Sequence, residues 1–155
     1  MTGLRAAVAE VLDPELRVVT IDELGILRGV STDGDRATVT ITPTYSGCPA
    51  MDVIRADVAA AAHRAGYPDV RVVTELSPPW GTDQISAVGR AKLAAAGIAP
   101  PGPAGAGPVT VAISPRCPHC GAPDTERLSR FGSTACKALW RCRTCAEPFD
   151  AVKPL

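Results

Sequence analysis

Two Cys-x-x-Cys pairs in the last quarter of the chain, Cys117-Pro-His-Cys120 and Cys142-Arg-Thr-Cys145, restrict what that quarter can become. Each pair closes a tight knuckle, and two knuckles supply four sulfurs to one tetrahedral metal, with Zn–S bonds of about 2.3 Å. The stretch between the pairs is long enough for a β-hairpin. All four coordination positions would come from protein, so the site is expected to be structural. Its metal supplies folding energy that so small a module lacks on its own. Zinc is the expected occupant, but four thiolates also accept iron, and the spacing does not choose between them. Phe131, Leu139 and Trp140 are expected to form the module's small core, with His119 pointing outward. Cys136 is surplus: a buried filler, an alternative ligand and an extra soft-metal or redox thiol all remain open.

Six cysteines in a secreted chain would suggest disulfides. Here Glu10 and Asp13 interrupt the only apolar stretch near the N-terminus, unlike a secretory leader, so a cytoplasmic setting with reduced thiols is expected. No apolar run approaches the roughly 20 residues of a membrane span. Aromatic residues make up 4% of the chain, which leaves its core to Val, Ile, Leu and Ala. The formal charge is zero overall but unevenly placed. Residues 1–99 carry nine Lys/Arg against twelve Asp/Glu, and residues 109–155 carry seven against four. A divalent metal on four thiolates lowers the tail module to about +1. That is a poor footprint for nucleic acid, yet sufficient for docking on an acidic protein surface.

Residues 97–108, Gly-Ile-Ala-Pro-Pro-Gly-Pro-Ala-Gly-Ala-Gly-Pro, cannot continue a helix or a central strand. Domains are therefore expected at 1–98 and 109–155, with a linker over 99–108. The first domain reads as helix, two strands, helix, strand, helix: an α+β fold with helices over one sheet face. Apolar spacing predicts a helix over Leu4–Leu12, stopped at Asp13-Pro14. Thr20-Ile-Asp-Glu23 has the capping-box pattern. Gly25–Ser31 and Arg36–Thr42 read as strands around an Asp33-Gly34 turn. Pro49 opens a helix to about Ala65, capped by Gly66. Val70–Glu75 reads as a third strand, Ser77–Gly81 as a rigid loop, and Thr82 as the cap of a helix over Asp83–Ala96.

Cys48 lies at the start of the predicted second helix, after Ser46-Gly47. Unpaired amides and the helix dipole there favour a thiolate and are expected to lower its pKa. A reactive, accessible thiol serves as a nucleophile or soft-metal ligand; a packed cysteine acting as a small hydrophobe is the alternative. Asp13, Glu15, Asp22 and Glu23 form an acidic cluster that either assists such a site or caps turns on a solvated face. His63, a helix-length away, reads as a surface residue. Trp80 is either a docking anchor or a lid on the core.

Asp13-Pro-Glu-Leu16, Leu24-Gly-Ile-Leu27 and Thr42-Pro-Thr-Tyr-Ser-Gly-Cys-Pro49 together resemble the iron–sulfur cluster assembly domain of cluster-targeting factors. Leu76-Ser-Pro-Pro-Trp-Gly-Thr-Asp-Gln-Ile-Ser86, Gly89-Arg-Ala-Lys-Leu93, the two knuckles, residues 131–139 and Glu147-Pro-Phe-Asp150 extend the likeness over nearly the whole chain. The full pattern resembles the PaaD (PaaJ) family of the phenylacetyl-CoA epoxidase system. The resemblance implies an accessory role in aerobic phenylacetate breakdown, with no turnover of an organic substrate by this chain itself. Cys48 would carry iron or an iron–sulfur cluster transiently, aided by Asp13 and Glu15. The ribbon would hold structural zinc and dock on the oxygenase or reductase subunits. A homodimer is left open. The rival readings are a stable structural subunit of the oxygenase complex and a thiol transferase using Cys48 with Cys136. The sequence lacks the Glu-x-x-His helices of a di-iron bundle and a dinucleotide fingerprint.

Overall fold

The computed structural model describes residues 3–45, 47–101 and 114–153. The chain divides into two compact units: Met1–Trp80 with Gln84–Gly89, and Gly81–Asp83 with Arg90–Leu155.

In the first unit, α1 (Leu4–Ala9) is followed by β1 (Leu27–Asp33) and β2 (Arg36–Ile41). Next come α2 (Ala50–Arg64) and β3 (Asp69–Thr74). The sheet order is β1-β2-β3, with β1 antiparallel and β3 parallel to β2. Ala37, Val39 and Ile41 point from β2 into the core, while Arg36, Thr38 and Thr40 alternate away. Ile54, Val58 and Ala61 form the buried stripe of α2, joined by Ala50, Met51 and Ala62. Gly66, at φ +98°, ends that helix as expected.

The α-β-β-α-β-α order expected from sequence is the order found, completed by α3 (Ala87–Ala95). Three local expectations are corrected. Helix α1 stops at Ala9 rather than Leu12, because residues 11–13 pair with 19–21 instead. The Asp13 N–H donates to Val19 O at 3.0 Å and the Ile21 N–H to Val11 O at 2.8 Å. The hairpin turn is Gly34-Asp35, since Asp33 still pairs with Arg36; Gly34 supplies the positive φ of +56°. Thr82 lies buried in a 3-10 turn, and Ser86 caps α3 by accepting the Gly89 N–H at 3.0 Å.

The capping box at Thr20 is present in both directions. The Thr20 N–H donates to Glu23 Oε2 at 2.9 Å, and the Glu23 N–H to Thr20 Oγ1 at 3.1 Å. It leads into Leu24-Gly25, against which Trp80 packs. Trp80 is buried, and its Nε1–H donates to Leu24 O at 2.8 Å. It therefore closes the core rather than serving as an exposed anchor.

In the second unit, β4 (Ile98–Ala99), β5 (Thr125–Ser129), β6 (Lys137–Cys142) and β7 (Pro148–Val152) form one sheet in the order β4-β7-β6-β5. Ile98 and Ala99 pair with Asp150 and Ala151. The compact division thus falls within α3, ahead of the expected boundary at 98, and most of the expected linker lies outside the described residues. The core of this sheet is Ala99, Cys117, Cys142, Phe149 and Ala151, with Trp140 packed against it. Leu139 is half-buried, and Phe131, expected in that core, is 68% exposed.

At Gly25, with φ +74°, an added Cβ would stand 2.6 Å from Gln84 Cβ and 2.7 Å from Gln84 O. Backbone strain and collision act together there. Gly25→Ala is expected to cost roughly 1–3 kcal/mol or more of unfolding free energy, read by urea denaturation, whereas Gly34→Ala meets no atom within 4 Å and should cost less.

Candidate functional site

Strand β2 delivers the chain to Thr42, whose N–H donates to Ile26 O at 2.9 Å, and the next few residues turn it into α2. Cys48 stands at that entry, half-buried. The Ala50 amide hydrogen-bonds its sulfur, and the buried Tyr45 hydroxyl faces it; both favour the thiolate. Burial outweighs them and pushes the thiol above its ordinary value, and the carboxylates of Glu15 and Asp13 push the same way. The pKa is therefore raised, reversing the expectation that a helix start would lower it. The thiol is neither sealed off nor strongly ionised at rest.

Asp13 has a structural task as well. Its Oδ1 accepts the N–H groups of Glu15 and Leu16, each at 2.8 Å, which caps the turn that Pro14 begins. This capped turn brings Asp13 and Glu15 into the field of Cys48. Asp22 and Glu23 are used elsewhere: Asp22 pairs with Arg5 at 2.8 Å, and Glu23 closes the capping box. His63 is exposed, with Nδ1 2.8 Å from Tyr67 O. Sequence reasoning passed over Tyr45, although it stands three residues before Cys48 in a segment already singled out. It also passed over Arg28, the extra residue of a β-bulge between Leu27 and Gly29. Its Nε donates to Thr42 Oγ1 at 3.1 Å and its Nη2 to Pro78 O at 3.1 Å, tying the end of β2 to the proline loop.

The second centre is built by the knuckles of the ribbon. The sulfurs of Cys117, Cys120, Cys142 and Cys145 all lie within 4.8 Å of one another. Cys117 Sγ is 3.7 Å from Cys145 Sγ, and Cys120 Sγ is 3.6 Å from Cys142 Sγ. A tetrahedral metal with bonds of about 2.3 Å sets its sulfurs about 3.8 Å apart, so the donor set fits. Backbone amides of Ala122, Cys145, Thr144 and Glu147 aim at these sulfurs. The Cys145 amide does most to bring Cys142 down to about 6. The Glu147 amide favours the Cys145 thiolate, but burial and the three neighbouring sulfurs push that thiol up to about 12. Cys120 is also raised, its Ala122 amide being outweighed. Cys142 thus ionises readily while Cys120 and Cys145 resist beside it, a conflict that a cation at the centre would remove. Cys136 is outside this group; Thr134 Oγ1 lies 3.0 Å from its sulfur.

Residues 104–153 match the PaaD zinc beta ribbon domain, and residues 2–74 match the iron–sulfur cluster assembly protein family. An Escherichia coli (strain K12) protein, named as a "Putative 1,2-phenylacetyl-CoA epoxidase" subunit, is 42% identical over 151 residues, covering 96% of this chain and 89% of that protein. The Bacillus subtilis (strain 168) Fe-S protein maturation auxiliary factor YitW is 35% identical over 86 residues, covering 54% of this chain and 83% of that protein. A crystal structure of a DUF59 domain from Bacillus anthracis superposes with a TM-score of 0.54 at 31% identity, covering 58% of this chain and 87% of the other. No helix among the described residues is long and apolar enough to cross a membrane.

Two outcomes check these centres. Because burial raises the Cys48 pKa, its alkylation should be slow at neutral pH and accelerate only as pH climbs beyond the ordinary thiol range. Glu15→Gln, which removes a negative neighbour, should move that profile toward lower pH. In the ribbon, metal analysis should find one tightly held ion per chain, and its chelation should abolish amide-exchange protection in β5–β7 while sparing β1–β3.

Proposed function

We propose, from the premise that this chain belongs to the PaaD family, whose Escherichia coli relative is named for the phenylacetyl-CoA epoxidase, that it is an accessory protein maturing a metal centre of that epoxidase. Cys48 receives and hands on iron or an iron–sulfur unit as cargo. The ribbon holds structural zinc through Cys117, Cys120, Cys142 and Cys145. The observation that carries this reading is the setting of Cys48: one half-buried thiol, held by a helix amide, in the field of Asp13 and Glu15.

That setting suits a carrier better than a nucleophile. A nucleophile at neutral pH needs a lowered pKa, and here burial raises it, with the two carboxylates adding to the effect. A cation reverses the balance. It stabilises the thiolate, gains from both carboxylates, and displaces the thiol proton as it binds. A single thiol with carboxylates gives an incomplete ligand set, so the cargo can leave for a client that offers more sulfur. Loading consequently rises with pH, since fewer protons then compete for the sulfur. The same balance argues against the thiol transferase, and Cys136 belongs to the other compact unit.

The client is another component of the same epoxidase, on the strength of the relative's name. A stably bound structural subunit is the rival reading; stoichiometric co-elution with the other subunits would favour it. Co-expression with the Cys48→Ser variant provides the test. The client is expected to lose most of its metal occupancy and activity in proportion, with the variant still folded and metal-bound in its ribbon. Full occupancy beside Cys48→Ser would rule out the carrier.

A further inference from the structure

The segment between β5 and β6 holds an aromatic side chain out of the core by construction. It folds against Asp150, and a Cβ at Gly132 would collide with that carboxylate, which would have to move aside. Ser133 Oγ donates to Asp150 Oδ2 at 2.9 Å, and the buried Lys137 ammonium lies 3.8 Å from the same oxygen. The Gly132 N–H donates to Lys137 O at 2.8 Å. Cys136 O accepts the Lys153 N–H at 2.9 Å, and Lys153 Nζ stands 4.4 Å over the centre of the Phe131 ring. Phe131 is thus fixed from its backbone and from its ring face, yet left 68% exposed. Leu128, the extra residue of a bulge in β5, is 51% exposed.

The acidic side chains of this face are already engaged. Asp150 is engaged by Lys137 and Ser133, and Glu126 by Arg143 at 3.1 Å. Among the described residues, Arg127, Arg130 and Lys153 make no ion pair. Strand β5 is a sheet edge, but its bulge and charges oppose the addition of a further strand. Contact through side chains remains: an exposed aromatic with Lys153 over its ring, and the exposed Arg127 and Arg130 on the strand and bend that lead to it.

We propose that Phe131, with Arg127, Arg130 and Lys153, is the docking surface for an acidic, pocketed patch on another component of the epoxidase. Charge complementarity selects that occupant. A second copy meeting the same patch would bring like charges together. The identity of the partner rests on the proposed function, while the surface does not depend on Cys48.

The full-length, metal-loaded protein should be titrated calorimetrically against purified oxygenase and reductase subunits, at low and high salt. One of them is expected to bind, more weakly at high salt. Phe131→Ala should weaken binding by about tenfold or more. Arg130→Glu should weaken it too and flatten its salt dependence. Both positions are exposed, so ribbon metal content and thermal unfolding should match the parent protein. Cys48→Ser should bind as the parent does, which separates a failed surface from a failed carrier. Binding that neither surface variant changes overturns the proposal. So does the absence of binding to either of them, or a Phe131-dependent association with a second copy, anionic vesicles or nucleic acid instead.

Discussion

A parallel neighbour for β2 can be reached only by carrying the chain back across the sheet, and α2 is that crossing. Pairing Arg36 through Ile41 with Asp69 through Thr74 obliges the connection to return to the starting end of β2. The helix must therefore begin beside the end of β2 and bury its Ile54–Val58–Ala61 stripe on the way back. Its first free amides are delivered to one place, and Cys48 occupies it. The features of the thiol belong to that position: the Ala50 amide at the sulfur, partial burial, and the field of the capped turn at Asp13.

The two cysteine environments solve opposite problems. In the ribbon, four sulfurs lie within 4.8 Å of one another, a donor set that fits one tetrahedral metal. At Cys48 one sulfur shares its surroundings with carboxylates, and no other cysteine lies in the same unit. The two centres thus differ in ligand number, four sulfurs against one, and the proposed carrier role draws on that difference.

Much of the fold was legible because it depends on local signals. The Thr20/Glu23 box, the alternation through Thr38–Ile41 and the stripe of α2 are read within a few residues and were realised where they stand. The misreadings share a cause: each depended on a partner beyond the reach of local pattern. Leu12 left the helix to pair with Thr20. Thr82 yielded its capping task to Ser86. Ile98 and Ala99, which resemble linker, were claimed by β7. Phe131 stands outside the core, beside Gly132, where the chain runs against Asp150. Trp80 entered the first unit's core because Leu24 offers its carbonyl.

The grouping of the four ribbon cysteines was legible in sequence alone, since knuckle spacing is a local property. So were the order of elements and the position of Cys48 at a helix start. The direction of its pKa was decided only by tertiary structure. A helix terminus is a short-range effect, visible in sequence, whereas burial and the fields of Glu15 and Asp13, more than 30 residues before Cys48, exist only in the folded chain. Burial proved the largest of these influences, so the same cysteine that reads locally as an activated nucleophile becomes, once folded, a thiol with a raised pKa.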